Sequence, residues 1–161
     1  REAEIKRLRS GHDEQIFRKY VRRFIVVGQT VEEFQQEGGA DAVSAINTVT
    51  GMGVNIKTRK PRLNTIIGGL SGSGIKPIAL ANVFKLYSNL KIPIIGIGGI
   101  SNSSDILEFI ITGASFVQLG TINYKYPNLI SLIDEKLETY LNNNSMDHIS
   151  NLIGSLSVEN K

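Results

Sequence analysis

The 161-residue sequence predicts an α/β fold built on parallel strands, and three observations lead there. First, short apolar runs stop at glycine, as in Ile94-Ile95-Gly96-Ile97-Gly98-Gly99-Ile100 and Phe116-Val117-Gln118-Leu119-Gly120-Thr121. They are continuous rather than alternating, the pattern of strands buried on both faces. Second, each run is followed by a segment that reads as a helix, and strands alternating with helices need crossovers and a parallel sheet. Third, Gly39-Ala40-Asp41-Ala42-Val43 and Gly113-Ala114-Ser115-Phe116-Val117 form a weak internal repeat. In each copy a helix ends at glycine and a small residue precedes a buried strand. Bare backbone N–H groups at two successive strand ends make a seat for one phosphate between them. That arrangement recurs at the end of (β/α)8 barrels, which typically need about 250 residues.

The elements follow in order. Residues 1–23 read as a charged, helical lead-in, set apart from a partial barrel domain over 24–161. Phe24-Ile25-Val26-Val27-Gly28 is the first expected strand, Val31 to Glu37 a short helix, and Ala42 to Thr48 the second strand. Gly51 to Leu63 is polar, basic and glycine-punctuated, with Val54 and Ile56 alternating against Asn55 and Lys57, which suits a β-hairpin. Gly68 to Gly74 reads as a glycine/serine loop. An amphipathic helix is expected from Ile75 to Leu90, with Pro77 tolerated in its first turn. Ile92 to Gly98 forms the third strand. The helix Ser101 to Thr112 offers Ser103 or Ser104 as N-cap and Asp105 in its first turn. Phe116 to Thr121 is the fourth strand, Tyr126 to Asn142 a helix, and Met146 to Leu156 a last short helix.

Composition narrows the classes. Hydrophobic residues make up 41% and charged residues 20% of the chain, which is ordinary for a globular domain. No apolar run reaches the roughly 18 residues of a membrane span, and no apolar signal-peptide core is visible, so no membrane partner is expected. The chain contains no cysteine, which excludes disulfides, thiolate metal sites and a cysteine nucleophile within it and makes a cytoplasmic setting the default. The net charge of +3 is local: residues 1–23 carry eight basic and four acidic groups, leaving −1 for the remainder. A basic arm of this kind serves nucleic-acid binders. Here it reads as a solvated helix face, because no zinc-finger spacing or aromatic platform accompanies it, and nucleic acid is not an expected partner.

Three motifs carry chemistry. Gly68-Gly69-Leu70-Ser71-Gly72-Ser73-Gly74-Ile75-Lys76 is superficially like a P-loop, but Ser or Thr does not follow a Gly-Lys pair, so a triphosphate is not expected. Its free N–H groups before a helix still suit a phosphate or a flavin edge, or simply a flexible turn. Gly96-Ile97-Gly98-Gly99 lacks the spacing of a dinucleotide fingerprint. Paired with Gly120-Thr121 on a neighbouring strand it gains weight as a phosphate seat. Ile46-Asn47-Thr48 ends a buried strand, where barrels carry their chemistry. Asn47 both donates and accepts hydrogen bonds, as a carboxylate-bearing heterocycle requires, although capping of the next turn would use the same group. His12 and His148 read as surface residues without metal-ligand spacing, so no metal site is expected. Asp41, Asp105 and Glu108 read as helix caps or solvated acids. Lys57, Arg59 and Lys60 mark a solvated excursion or the edge of an interface.

Together these blocks resemble dihydroorotate dehydrogenase, the flavin enzyme of pyrimidine synthesis. The matching text is Ile46 to Met52, Lys57 to Pro61, Gly68 to Gly72 with Ile75-Lys76-Pro77, Ile94 to Ile100, Gly113 to Ser115, and Gly120-Thr121. Gly-Gly-Leu-Ser-Gly followed by Ile-Lys-Pro is most similar to the class 1 soluble catalytic subunit, and the resemblance covers about residues 38–156. Dihydropyrimidine dehydrogenase is the nearest competitor. The resemblance implies the C-terminal half of a flavin-binding (β/α)8 TIM barrel. It implies that Gly72, Gly98, Gly99, Gly120 and Thr121 bind the FMN phosphate, that Ile46 lies along the flavin, and that Asn47 and Thr48 bond the pyrimidine. The implied reaction is FMN-dependent oxidation of dihydroorotate to orotate, with an iron–sulfur flavoprotein subunit as a partner.

The chain also departs from the family. The soluble class takes its general base from a cysteine in the first half of the barrel, and this chain has no cysteine. The family places a lysine at the end of the strand preceding Asn47, and no lysine follows Phe24 to Gly28 here. Residues 1–37 do not look like the family. No catalytic residue is therefore assigned, and the chain by itself is expected to be incomplete and inactive. A half-barrel would expose strand edges and apolar faces, so a homo-oligomer or a complementing chain is expected. The alternative is a non-catalytic half-barrel that keeps the phosphate seat and acts as an interaction scaffold.

Overall fold

The computed structural model describes residues 24–27 and 40–158. The centre is a four-stranded sheet of β1 (Phe24–Val27), β2 (Ala42–Ala45), β7 (Ile94–Ile97) and β8 (Phe116–Gln118), in that spatial order. All three pairings are parallel, with Phe24 opposite Ala42, Val43 opposite Ile94 and Ile95 opposite Phe116. The expected parallel sheet is thus present, and its strands are shorter than their apolar runs. Each run continues into the turn beyond the last ladder bond, so Ile46, Gly98 and Leu119 belong to turns that begin with strand-like sequence. The Ala45–Ile46 peptide bond is cis.

Between β2 and β7 the chain makes an antiparallel excursion. Strand β3 (Val49–Met52) pairs with β6 (Ile67–Leu70), and inside them β4 (Val54–Asn55) pairs with β5 (Lys60–Pro61). The hairpin expected over 51–63 is there, nested in a wider one. Its alternation does not bury a face: Val54 and Ile56 are both exposed, Ile56 at 86%. The loop expected at Gly68 to Gly74 is corrected to a strand followed by a turn. Gly68 and Gly69 look like loop residues, yet a Cβ at Gly69 would run into the Thr48 side chain and one at Gly68 would come 2.9 Å from Leu63. Strand glycine here marks close approach of neighbouring groups.

Helix α1 (Lys76–Asn89) follows a 3-10 turn at Ser73–Ile75. It buries Ala79, Asn82, Val83 and Leu86, one stripe at helical spacing. Helix α2 (Ser103–Thr112) buries Ile106, Phe109 and Ile110. Its N-cap is Asn102 rather than Ser103 or Ser104: the Asn102 side chain accepts from the Asp105 N–H at 3.0 Å. Capping needs an acceptor three residues before that N–H, and Asn102 stands at that distance. Gly113 ends α2 at φ 126, where a Cβ would strike Tyr87, and Ala114 is fully buried beside it. The second copy of the repeat therefore behaves as its glycine suggested. Phe109, 0% exposed, packs where a Cβ on Gly96 would lie, so the glycine in β7 makes room for the aromatic ring.

After β8 the helix expected from Tyr126 to Asn142 is present as α4 (Leu129–Asn143), and a short helix, α3 (Ile122–Lys125), precedes it outside the expected span. Pro127 sits in the break between them, which its missing N–H and the restriction on its predecessor account for. The last expected helix reduces to a 3-10 turn, Ile149–Leu152, with His148 as its cap and Leu152 buried. His148 is exposed, as expected. The lead-in over 1–23, His12, the boundary near Arg23 and the helix Val31 to Glu37 lie outside the described residues. Among the described residues no helix is long and apolar enough to cross a membrane.

Candidate functional site

The ends of β2, β7 and β8 open into one cavity of about 510 Å³. Every sequence-predicted site residue lines it: Ile46, Asn47 and Thr48 after β2, Gly72 after β6, Gly98 and Gly99 after β7, and Gly120 and Thr121 after β8. Alternation along the strands explains the floor. Gly96 faces Phe109 and α2, so Ile97 faces the other way, into the cavity with Ser44 and Gln118. The Ser44 hydroxyl donates to the Gln118 side-chain oxygen at 3.3 Å.

The glycines fall into two groups. Gly98 has φ 133 and Gly99 φ 78, where side chains are strained. A Cβ on Gly98 would lie 2.9 Å from the Ala79 Cβ, and one on Gly99 2.7 Å from the Lys76 nitrogen. Both are demanded by the backbone and by the packing of the turn on α1. At Gly120 and Gly72 a Cβ would meet nothing within 4 Å. Gly72 still needs glycine for its φ of 92, whereas at Gly120 the backbone simply stands bare before open space.

Hydroxyls surround this bare backbone. The Thr121 hydroxyl donates to that of Ser71 at 2.9 Å, joining the turns after β6 and β8. Lys125 is the one cationic side chain lining the cavity among the described residues, and its ammonium lies 5.2 Å from the Tyr126 ring centroid. Isoleucines 46, 75, 97 and 100 supply the apolar wall. Asn47 is exposed, and its side-chain oxygen accepts from the Thr48 N–H at 2.7 Å. That bond is the local cap anticipated as the plain alternative. It leaves the amide NH2 of Asn47 without an acceptor among the described residues, so the group can still serve a ligand.

Behind the turn stands a charged cluster that sequence reasoning did not assemble. Lys76 bonds Asp105 at 2.6 Å and the Glu108 carboxylate at 2.9 Å. Asp105, buried, accepts from the Ser101 N–H at 2.8 Å and from its hydroxyl at 2.7 Å. Burial alone would raise the Asp105 pKa; the hydrogen bonds from Lys76 and Ser101, with the Lys76 charge, outweigh it and hold the carboxyl below its ordinary value. The Lys76 ammonium is raised, first by its bond to Asp105 and then by Glu108. Asp105, expected as a cap or a solvated acid, is instead a buried first-turn residue whose N–H the Asn102 cap receives and whose carboxylate pairs with Lys76. Asn102 three residues before Asp105 was the available signal; Lys76, 29 positions away, had none.

The residues fit a molecule with an anionic head and a flat apolar body. Bare backbone and hydroxyls line one part of the cavity, and isoleucine side chains line another.

Comparison with known proteins points the same way. Residues 26–141 match the sequence model of a family described as dihydroorotate dehydrogenase. A "dihydroorotate dehydrogenase B (NAD(+)), catalytic subunit" of Caldicellulosiruptor bescii is 45% identical over 76% of this chain and 41% of that protein. The protein of the same description from Thermoanaerobacter sp. (strain X514) is 48% identical over 77% of this chain and 41% of its own length. That from Geotalea uraniireducens is 47% identical over 74% and 39%. The chain thus matches about two fifths of the length of these relatives. Since the family match runs over well more than half of the sequence and through all three strand ends of the cavity, the chain belongs to the dihydroorotate dehydrogenase family, whose members are flavin-dependent α/β barrels.

Proposed function

We propose that this chain forms the part of a cytoplasmic dihydroorotate dehydrogenase that seats FMN and holds the pyrimidine against it. One observation carries the reading above the others: the backbone at Gly72 and Gly120 faces open cavity, beside a wall of isoleucines and an asparagine with a free amide. In this reading the N–H groups around Gly72, Gly98, Gly99, Gly120 and Thr121 receive the phosphate, and their partial positive charge suits an anion. Ile46 and Ile97 lie along the ring system and exclude water from it. FMN, when bound, supplies the hydride acceptor for conversion of dihydroorotate to orotate. Asn47 donates through its amide to the substrate, and Thr48 orients Asn47 through its N–H. No proton-abstracting residue is assigned to this chain, which has no cysteine. The base is supplied from outside these 161 residues.

The relatives are described as catalytic subunits and their description includes NAD(+), so a partner subunit carrying iron–sulfur and flavin groups is part of the proposal, with NAD(+) as final acceptor. Oligomerisation, or a complementing chain, belongs to it as well. Phe116 on β8 is 63% exposed on the cavity-side face of the sheet, where an unpaired apolar face invites cover.

The test is titration of the FMN-loaded chain with orotate. A saturable change in the flavin absorption spectrum, lost in Asn47→Ala, is expected. A loaded chain whose spectrum ignores orotate would leave the other reading, a non-catalytic half-barrel that keeps the seat for interaction; the missing cysteine is what favours it.

A further inference from the structure

We infer that Asp105 and Lys76 are positioning residues that set the shape of the phosphate seat before any ligand arrives; this rests on the FMN reading above. The turn after β7 is tied on both sides. On one side Gly98 and Gly99 press against α1, where a Cβ added at Gly99 would come 2.7 Å from the Lys76 backbone nitrogen. On the other, Ser101 gives both its N–H and its hydroxyl to one oxygen of Asp105, at 2.8 and 2.7 Å. The second oxygen of Asp105 takes the Lys76 ammonium at 2.6 Å and closes the ring from Lys76 through Asp105 and Ser101 back to Gly99.

The ring has two consequences. The ring holds Gly98 and Gly99 in their left-handed conformations, with φ 133 and 78, and fixes Ser101 beside them, so the turn is ordered without ligand, which lowers the ordering cost of binding. The Lys76 charge is also withdrawn from the phosphate. Lys76 starts α1 beside the seat, yet its ammonium is held by two carboxylates and it does not line the cavity. Backbone amides and hydroxyls, rather than this lysine, then recognise the anion. The Asp105 side chain is 6% exposed and that of Glu108 45%, so Asp105 is the member that matters.

The experiment compares FMN with riboflavin, which lacks the phosphate, on the full chain and on Asp105→Ala, Asp105→Asn and Lys76→Met. Asp105→Ala should weaken FMN at least about tenfold while riboflavin shifts by less than about twofold, because only the phosphate contacts are lost. Asp105→Asn keeps an acceptor for Ser101 and should recover part of the FMN affinity. Lys76→Met should resemble Asp105→Asn. Amide exchange supplies a readout independent of flavin: the Ser101 N–H should be protected in the parent and exposed in Asp105→Ala, with α4 amides unchanged. Equal losses for FMN and riboflavin, or an unaltered Ser101 N–H, would overturn the inference. A parent that binds no FMN would overturn the flavin reading, and the exchange result alone would then decide whether the ring orders the turn.

Discussion

The turn after β7 and the turn after β8 carry glycines that answer to different demands. Gly98 and Gly99 adopt left-handed backbone conformations and leave no space for a Cβ against Ala79 and Lys76. Gly120 has no such backbone requirement and nothing within 4 Å of where its Cβ would be. The first turn needs glycine to fold; the second keeps it while the fold does not ask for it. A glycine that stands before open space is the better pointer to a ligand, because packing does not explain it. A charge placed at Gly98 would break the turn together with the seat, so its effect on binding would be uninformative.

The largest effect expected from this contrast is on stability. Gly99→Ala should lose about 3 kcal/mol or more in urea unfolding, from backbone strain and overpacking together. Gly120→Ala should stay within about 0.5 kcal/mol of the parent. If both cost the same, the distinction between the two turns fails.

Acid sharpens the comparison from the β7 side. The folded-state pKa of Asp105 is depressed, so its contribution to stability is present above the unfolded carboxyl value of 3.8 and is lost as pH falls through the folded value. The stability gap between the parent and Asp105→Asn should therefore be full near neutrality and should close on acidification below pH 3.8. A gap independent of pH would mean that the Lys76–Asp105 pair does not hold the turn.

The smallest effect is expected at Ile66, a non-glycine residue at φ 68 in the exposed turn before β6. Left-handed backbone is unfavourable for a β-branched side chain. Ile66→Gly should gain about 0.5–1 kcal/mol, the strain relieved less the extra freedom of glycine in the unfolded chain. A loss there would show that the side chain makes contacts outweighing the strain.

The sheet was legible in the sequence because Val43, Ala45, Ile94 and Ile95 form continuous apolar runs, which need no long-range information to recognise. The cavity residues were legible as glycines and as Asn47 at strand ends. What was not legible came from contacts across the fold. The strand character of Gly68 and Gly69 depends on Thr48 and Leu63 standing where their side chains would be. The Lys76–Asp105 bond joins residues from different strand–helix units, and the Ser71–Thr121 bond spans 50 positions. The start of the last long helix was not legible either: Pro127 lies just before α4, and a proline in a first turn and one just ahead of it look alike locally.

The measurement that bears most directly on the flavin seat is FMN titration of the full chain beside Gly120→Asp, with thermal unfolding of both. A carboxylate at Gly120 projects into open space, so the fold should survive with little change in Tm. The same carboxylate sits where the phosphate is seated, so saturable FMN binding by the parent should fall at least about tenfold, or about 1.4 kcal/mol, in the variant. A folded parent that binds no FMN, or a variant that binds it as tightly as the parent, would contradict the assignment of a phosphate seat between the ends of β7 and β8.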